Sequence, residues 1–468
     1  MVYKKKSIKF GTDGWRGVIG VDYTVENLNR VVEAVVSYLY KRVENPTIVL
    51  GYDCRFNGKI FAEYVATRFS ARNVKVLLSP SFVSTPMVSL ATLGKKADLG
   101  IILTASHNPP EYSGFKIKGS YGGPAFAEVV AEIESLIPES GSFDDEDIEK
   151  YISQEKIEYY DAEALYVNHL KSVFSLAEMR RANITIAYDA MYGAGRKVFA
   201  RLFPEARLLH CEDNPGFNGR SPEPIEKNLS ELRELCQKEK ILFGLATDGD
   251  ADRIGLYDDR GVFIDSHHIM LMVAHYLLHY KGMTGKIVST FSCTDKMNLF
   301  AKKNNLPFQT TKIGFKYIAE IMARETVLVG GEESGGIAVA GHIPERDGIY
   351  IGLLILEMMT KTQKKISEII EEIYREVGPF YVERVDLHLS EQEKHRILSE
   401  CPKYRQFGDF KVADIENLDG YKFRFMQEGW VMIRPSGTEP LLRIYAEACN
   451  RDAALQILNA TQQTILKD

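Results

Sequence analysis

The 468-residue chain has no C-x-x-C pair, and its six cysteines (Cys54, Cys211, Cys236, Cys293, Cys401 and Cys449) lie far apart. That spacing excludes a disulfide framework and a cysteine zinc site, and fits the reduced thiols of a cytosolic protein. Long apolar runs are missing too. The longest, GIYIGLLILEMM from Gly348, is too short to span a bilayer and reads as a buried helix. The basic start, MVYKKKSIKFGTDGW, lacks the apolar stretch of a secretory signal. Nor is there an excess of positive charge: 58 Lys and Arg against 64 Asp and Glu leave a net charge of −6. This argues against a nucleic-acid surface and a polybasic membrane anchor. No G-x-x-x-x-G-K-[ST] occurs, which sets aside a P-loop kinase. The serine of LTASHNPPEYSGFKIKG (103–119) is not in a G-x-S-x-G elbow. These exclusions leave an expectation of a soluble, cytoplasmic protein with no nucleic-acid or membrane partner.

What is present is α/β patterning. A chain of this length suggests roughly three ordinary domains. Short β-branched runs, TIVLGYD (47–53), KVLLS (75–79) and LGIILTASH (99–107), alternate with amphipathic stretches such as VENLNRVVEAVVSYLYKR. A second round runs from ITIAYDAMYGAG (184–195) to ILFGLATDGDADRIGLYDD (241–259), and a third from KIVSTFSC (286–293) through VLVGGEESGG (327–336). Each opens with a strand feeding a polar or glycine-rich loop, so three related α/β units are expected. The acidic stretch PESGSFDDEDIEKY (138–151) reads as a linker, and the pattern after YREVGPFYVERVDLHLS predicts a smaller C-terminal α+β domain. The expected domains are 1–146, 155–256, 257–372 and 376–468.

The sharpest chemical signal is ATDGDADR. Asp248, Asp250 and Asp252 alternate at i, i+2 and i+4 after a strand, so in an extended chain their carboxylates project to one side. Three such charges repel unless a cation sits among them, and hard oxygen ligands select Mg²⁺, Mn²⁺ or Ca²⁺. An EF-hand does not fit, because its sixth position would be Arg253 and its twelfth Asp259. Mg²⁺ held by a few carboxylates completes its shell with water and phosphate oxygens, which points to phosphate chemistry. RPSGTEP (434–440) supplies a forked cation at Arg434, hydroxyls at Ser436 and Thr438, and a turn at Gly437. This set suits an anion and equally an ordinary β-turn.

GGEESGG (330–336) puts Glu332 and Ser334 between glycines, a donor and acceptor set for sugar hydroxyls that also fits a surface turn. GHIPERDG supplies His342 and Arg346, and FGTDGWRG (10–17) supplies Asp13 and Arg16. Ser106 ends a strand, next to His107, with Lys116 and Lys118 downstream. Beside a bound Mg²⁺ and positive charge it is placed to carry a phosphoryl group, whose charge of about −1.5 to −2 those cations would neutralise.

Together TASHNP, TDGDADR, GEESGG and RPSGTEP, in this order, resemble the α-D-phosphohexomutase superfamily, across essentially the whole chain. The resemblance implies four domains around a central cleft: three related α/β units with mixed sheets and a C-terminal α+β domain. It implies that Ser106 is a phosphoserine that gives its phosphoryl group to a sugar 1-phosphate. The resulting hexose 1,6-bisphosphate, also the activator, turns over and returns its other phosphate to the serine. By the same resemblance Asp248, Asp250 and Asp252 hold one Mg²⁺ with a Ser106 phosphate oxygen. Lys116 and His342 are candidates for proton transfer, with His107 beside the serine, and Arg16 and Arg253 lie near the transferring phosphate. Glu332 and Ser334 bind ring hydroxyls, while Arg434, Ser436, Gly437 and Thr438 grip the phosphate not being transferred. The partner is a small sugar phosphate, and a monomer or homodimer is expected.

Phosphoglucosamine mutases continue from the serine loop with DNGIKFF-like residues, where this chain has EYSGFKIK. Dual phosphomannomutase/phosphoglucomutases place a histidine where this chain has Gly336. GHIPERDG resembles the H-I-x-E-K-D-G segment of α-phosphoglucomutases, so glucose is the expected sugar, with mannose as a second. Readings from other classes are a phosphoserine-dependent sugar phosphatase and a non-catalytic sugar-phosphate sensor.

Overall fold

The chain is described here by a computed structural model covering residues 8–11, 13–141, 146–436 and 441–466. By its contacts it forms two compact units, Met1–Gly285 with Gly314–Ile369, and Lys286–Ile313 with Ile370–Asp468. The segment Lys286–Ile313, inside the expected third domain, thus belongs with the C-terminal residues.

The central strands of the first unit, such as Thr47–Tyr52 and Leu99–Leu103, are almost wholly apolar, as strands covered on both faces are. In the first sheet, Thr47–Tyr52 runs parallel to Leu99–Leu103 on one side and Lys75–Leu78 on the other. Tyr112–Gly119 then pairs antiparallel with both Leu99–Leu103 and Trp15–Val18. Ile157–Tyr159 adds a last parallel strand beside Lys75–Leu78. This sheet therefore runs past residue 146, and part of the expected linker, Ile148–Ser153, is helical. Residues 142–145 of that stretch lie outside the described residues. The helix Val25–Tyr40 covers the sheet because Leu28, Val31, Val32, Val35 and Leu39 recur at helical spacing and are all buried. Thr24 caps it by accepting the Asn27 N–H.

A second, five-stranded mixed sheet has Ile186–Asp189 parallel to both Phe243–Thr247 and Arg207–Leu209. Ile254–Tyr257 returns antiparallel to Phe243–Thr247. Further along, Val327–Gly331 and Ile337–Val339 form an antiparallel pair. The apolar run from Gly348 is the helix Gly348–Thr362, N-capped by Asp347 and buried over most of its length. Among the described residues no helix is long and apolar enough to cross a membrane. In the second unit Lys286–Thr290 pairs parallel with Phe308–Thr311. The C-terminal sheet is antiparallel, in the order Tyr381–His388, Leu441–Ala448, Trp430–Pro435, Tyr421–Phe425, Phe410–Glu416 and Gln406–Phe407.

This topology brings candidate site residues to strand carboxyl ends, where open α/β sheets bind ligands. Asp53 and Arg55 follow Thr47–Tyr52, Ser106 follows Leu99–Leu103, Asp248 follows Phe243–Thr247, and Glu332 follows Val327–Gly331.

At the end of the second sheet, His210 bridges Asp189 (2.9 Å) and Glu231 (3.2 Å). The hydrogen bond to Asp189 raises its pKa above the ordinary value of 6.5, although partial burial opposes the shift. Its folded pKa exceeds the unfolded one, so its stabilisation is complete below the unfolded value and fades as pH rises through the folded value. NMR titration should place the His210 ring above 6.5. His210→Gln should cost on the order of 1 kcal/mol at about pH 6, and less at about pH 8, in denaturant melts.

Candidate active site

The TDGDADR segment is a tight turn, not the extended run expected from its spacing. The Ala251 N–H closes it onto the Asp248 carbonyl at 3.0 Å, and Ala251 takes a left-handed φ of 56°. The three carboxylates converge because the chain folds over: their ligand oxygens lie within 4.8 Å of one another, and all three residues are fully buried. Asp248 Oδ1 accepts the N–H groups of Asp252 (2.9 Å) and Arg253 (3.0 Å), which fixes the turn from inside.

Ser106 meets this turn directly. Its hydroxyl donates to Asp248 Oδ2 at 2.8 Å, and its N–H donates to the Thr104 hydroxyl at 2.8 Å. The two loops pass so closely that a Cβ on Gly249 would lie 2.5 Å from the Ser106 carbonyl oxygen. Ser106 itself has a left-handed φ of 54°, uncommon for a residue other than glycine. The His107 ring nitrogen lies 3.4 Å from the Ser106 hydroxyl. Burial, with Arg253 and Arg16 nearby, holds that imidazole well below its ordinary pKa and hence neutral.

Cations reach the cluster from three segments. Lys116 and Lys118 alternate along Tyr112–Gly119 and so share a face. The Lys116 ammonium contacts Asp250 Oδ2 (2.7 Å), Asp252 Oδ2 (3.1 Å) and Asp13 (2.8 Å). Burial works against its charge, but Asp13, Asp250 and Asp252 together raise its pKa. Lys118 pairs with Glu345 at 2.7 Å. Arg346 reaches Asp252 Oδ2 at 2.7 Å and bonds Asp13. Arg16 donates to the Asn108 side chain at 2.6 Å, tying the N-terminal FGTDGWRG loop to the serine loop.

The carboxylates differ in consequence. Burial and the neighbouring Asp250 and Asp252 push Asp248 well up, whereas Lys116 overrides burial at Asp250 and draws it down. The Oδ2 atoms of Asp250 and Asp252 are taken by Lys116, Thr85 and Arg346. Their Oδ1 atoms are buried and accept no hydrogen bond. Buried carboxylate oxygens without donors are costly, and a hard divalent cation is the partner this donor set fits.

The sugar-loop candidates lie beside the same turn. The Ile254 N–H donates to the Gly335 carbonyl at 3.2 Å. Glu332 is buried, accepts the Gly314 N–H at 3.1 Å, and lies 3.6 Å from Arg346. Burial raises its pKa. Ser334 is half-buried in the turn that follows. Arg253 lies 3.5 Å from Glu223.

His342 is not brought into this cluster. Its Nε2 bonds Asp347 at 2.9 Å, its Nδ1 bonds His169 at 3.1 Å, and its ring stacks on Tyr350 at 3.9 Å. Both nitrogens are occupied away from Ser106, so the segment GHIPERDG reaches the aspartates through Arg346. In the second unit, Arg434 bonds Asp419 at 3.1 Å, and the Ser436 N–H donates to the Leu441 carbonyl at 3.0 Å. Gly437 and Thr438 lie outside the described residues. Sequence reasoning did not single out Thr85, Glu345 or the Asp53–Arg55 pair as site residues.

Four regions of the chain match the domains described as phosphoglucomutase/phosphomannomutase. These are alpha/beta/alpha domain I over residues 7–144, domain II over 164–261, domain III over 265–377, and the C-terminal domain over 393–462. The "Phosphoglucomutase/phosphomannomutase" of Thermococcus kodakarensis is 30% identical over 456 residues, covering 96% of each chain. A "Probable phosphoglucosamine mutase" of Thermococcus gammatolerans is 29% identical over 462 residues, covering 97% of this chain and 98% of the relative. The crystal structure of a "putative phosphomannomutase" from Thermus thermophilus is 32% identical, with a TM-score of 0.86 over 99% of this chain and 100% of that one.

Gly249→Ala should force the aspartate turn and the serine loop apart. Crowding a packed site with one methyl typically costs about 1–3 kcal/mol. Denaturant melts should show that loss, together with a fall in turnover larger than the fall in folded fraction.

Proposed function

The chain belongs to the phosphoglucomutase/phosphomannomutase family, and from that premise we propose that it interconverts glucose 1-phosphate and glucose 6-phosphate through a phosphoserine at Ser106. It is a phosphohexomutase, an intramolecular phosphotransferase of a Mg²⁺-dependent family, acting on small sugar phosphates. The observation that carries the phosphoserine reading is the Ser106 hydroxyl bonded to Asp248 in the buried aspartate turn, whose Asp250 and Asp252 are paired with Lys116.

In the proposed cycle the phosphoryl group on Ser106 Oγ passes to the 6-hydroxyl of glucose 1-phosphate. The P–Oγ bond breaks, a P–O6 bond forms, and the hydroxyl proton passes to a base at the site. Glucose 1,6-bisphosphate then turns over, and its 1-phosphate returns to Ser106, leaving glucose 6-phosphate. Asp248, Asp250 and Asp252 would hold Mg²⁺, which would neutralise phosphate charge there. Lys116 and neutral His107 are the side chains placed to exchange the proton, a contribution typically of about 10²–10⁴-fold. Arg16 and Arg253 would stabilise charge on the transferring phosphoryl, the main source of rate in such reactions. Glu332 and Ser334 would bind ring hydroxyls. Arg434, Ser436, Gly437 and Thr438 would hold the other phosphate. His342, bonded through both nitrogens, is not assigned a proton.

The glucose assignment rests on the sugar loop and on GHIPERDG. A Cβ at Gly336 would lie 2.3 Å from Arg346 Cδ. The histidine of the dual enzymes at that position would displace Arg346 from Asp13 and Asp252, so this chain is built for a different arrangement. Relatives named phosphoglucosamine mutase favour a second reading with glucosamine 1-phosphate.

Both readings are separated by a ³¹P NMR time course with glucose, mannose and glucosamine 1-phosphates, each with Mg²⁺ and a trace of the matching 1,6-bisphosphate. Glucose should convert fastest and Ser106→Ala not at all. Inorganic phosphate in place of 6-phosphate would indicate a phosphatase, and turnover by the alanine variant would remove the phosphoserine. A separate expectation concerns the aspartate turn. Asp250→Asn should weaken Mg²⁺ binding roughly tenfold or more in calorimetric titrations, and an unchanged affinity would exclude this turn as the metal site.

A further inference from the structure

The strand Thr47–Tyr52 ends in Asp53-Cys54-Arg55, which places a guanidinium against the serine loop. The Arg55 side chain is fully buried. Its Nη2 donates to the carbonyls of Ser106 and Asn108, both at 2.7 Å. Its Nη1 donates to the carbonyls of Pro109 (2.8 Å) and Tyr112 (2.9 Å). Asp53 sits 3.3 Å from Arg55 Nε and accepts the Arg55 N–H at 3.1 Å. Asp53 also accepts the Thr104 hydroxyl, the same hydroxyl that accepts the Ser106 N–H. The Phe217 ring covers the guanidinium at 4.9 Å.

Four carbonyl dipoles aimed at one point repel one another, and a fork with five donors is what lets them converge. The four carbonyls lie along the backbone from Ser106 to Tyr112, which begins with Ser106 in its left-handed conformation. Such backbone costs roughly 1–3 kcal/mol and persists only where the surroundings enforce it. The enforced conformation is the one that delivers the Ser106 hydroxyl to Asp248.

We propose that Arg55 is the positioning residue of the phosphoryl-carrying serine, holding the Ser106 loop by four backbone carbonyls so that Oγ stays in line for transfer in both directions. The inference rests on the phosphoserine reading above. Arg55 touches the loop through its backbone, so its loss should slow transfer while leaving substrate and Mg²⁺ binding largely in place. A displacement of about 1 Å at a reacting atom can cost on the order of 10²-fold in rate.

The test compares wild type, Arg55→Lys and Ser106→Ala. Rapid-quench labelling from glucose 1,6-bisphosphate carrying ³²P measures phosphorylation of Ser106, with steady-state kcat and KM, Mg²⁺ calorimetry and denaturant melts alongside. Lysine keeps the charge but cannot span four carbonyls. The expected result is a fall of roughly 10²-fold in both kcat and the Ser106 labelling rate per folded molecule, with KM and Mg²⁺ affinity within about threefold. A purely structural role would lower the folded fraction and leave the rate per folded molecule unchanged, and that result overturns the proposal. Labelled wild type with equally fast Arg55→Lys overturns the role of Arg55 alone, whereas unlabelled wild type overturns the phosphoserine reading and this inference with it. If Arg55→Lys does not fold, Asp53→Asn removes the charge that aligns the guanidinium. It should show the same kcat-selective loss of about tenfold or more, and unchanged kcat there would likewise overturn the assignment.

Discussion

Three carboxylates buried within five residues are the constraint around which the first unit is arranged. At about 4 Å, two like charges cost roughly 4 kcal/mol even at an effective dielectric constant near 20. The turn Asp248–Asp252 therefore cannot form without compensation from elsewhere in the chain. Compensation comes from Lys116 on one sheet and Arg346 ahead of a helix in a later region, and both also bond Asp13 from the N-terminal loop. Asp13 is thus a hub, held well below the ordinary carboxylate range by Lys116, Lys118 and Arg346 despite burial. The separate α/β segments of this unit are tied together by charge as well as by apolar packing. The division of labour among the oxygens follows: the Oδ2 atoms of Asp250 and Asp252 face the protein's own cations, while their buried Oδ1 atoms accept no hydrogen bond.

The sequence made some of this legible and hid the rest for physical reasons. Strands such as Thr47–Tyr52 and Leu99–Leu103 could be read because buried parallel strands are uniformly apolar. The aspartate triplet was legible as a ligand set, but the route to convergence was not. Alternation in an extended strand and a turn through a left-handed Ala251 yield the same spacing on paper. Asp13 and Arg16 announced themselves through the glycine-rich FGTDGWRG.

The segment GHIPERDG held two basic side chains of interest, and resemblance favoured His342. The structure turns Arg346 to the aspartates, while Asp347, one residue on, caps the helix Gly348–Thr362 and engages His342 behind it. Consecutive residues facing opposite ways at a helix start leave no trace in composition. Arg55 was hidden more deeply still, since the loop groups it holds are backbone carbonyls, which carry no sequence signature.

These contacts join the candidate sugar loop to the aspartate turn. Arg253 leaves the aspartate turn and pairs through its backbone with Gly336 in the sugar loop. Gly336 is in turn kept free of a side chain by Arg346, whose guanidinium compensates Asp252 and Asp13 and lies 3.6 Å from Glu332. A side chain added at 336 would press on Arg346 and disturb one of the two cations, Arg346 and Lys116, that pair with Asp252. The reverse also holds, because an altered charge at Asp252 changes what anchors Arg346 beside Glu332. The candidate sugar loop is therefore not a segment that can be exchanged by itself. It is linked, through one arginine, to the electrostatic balance that allows three aspartates to share a buried turn.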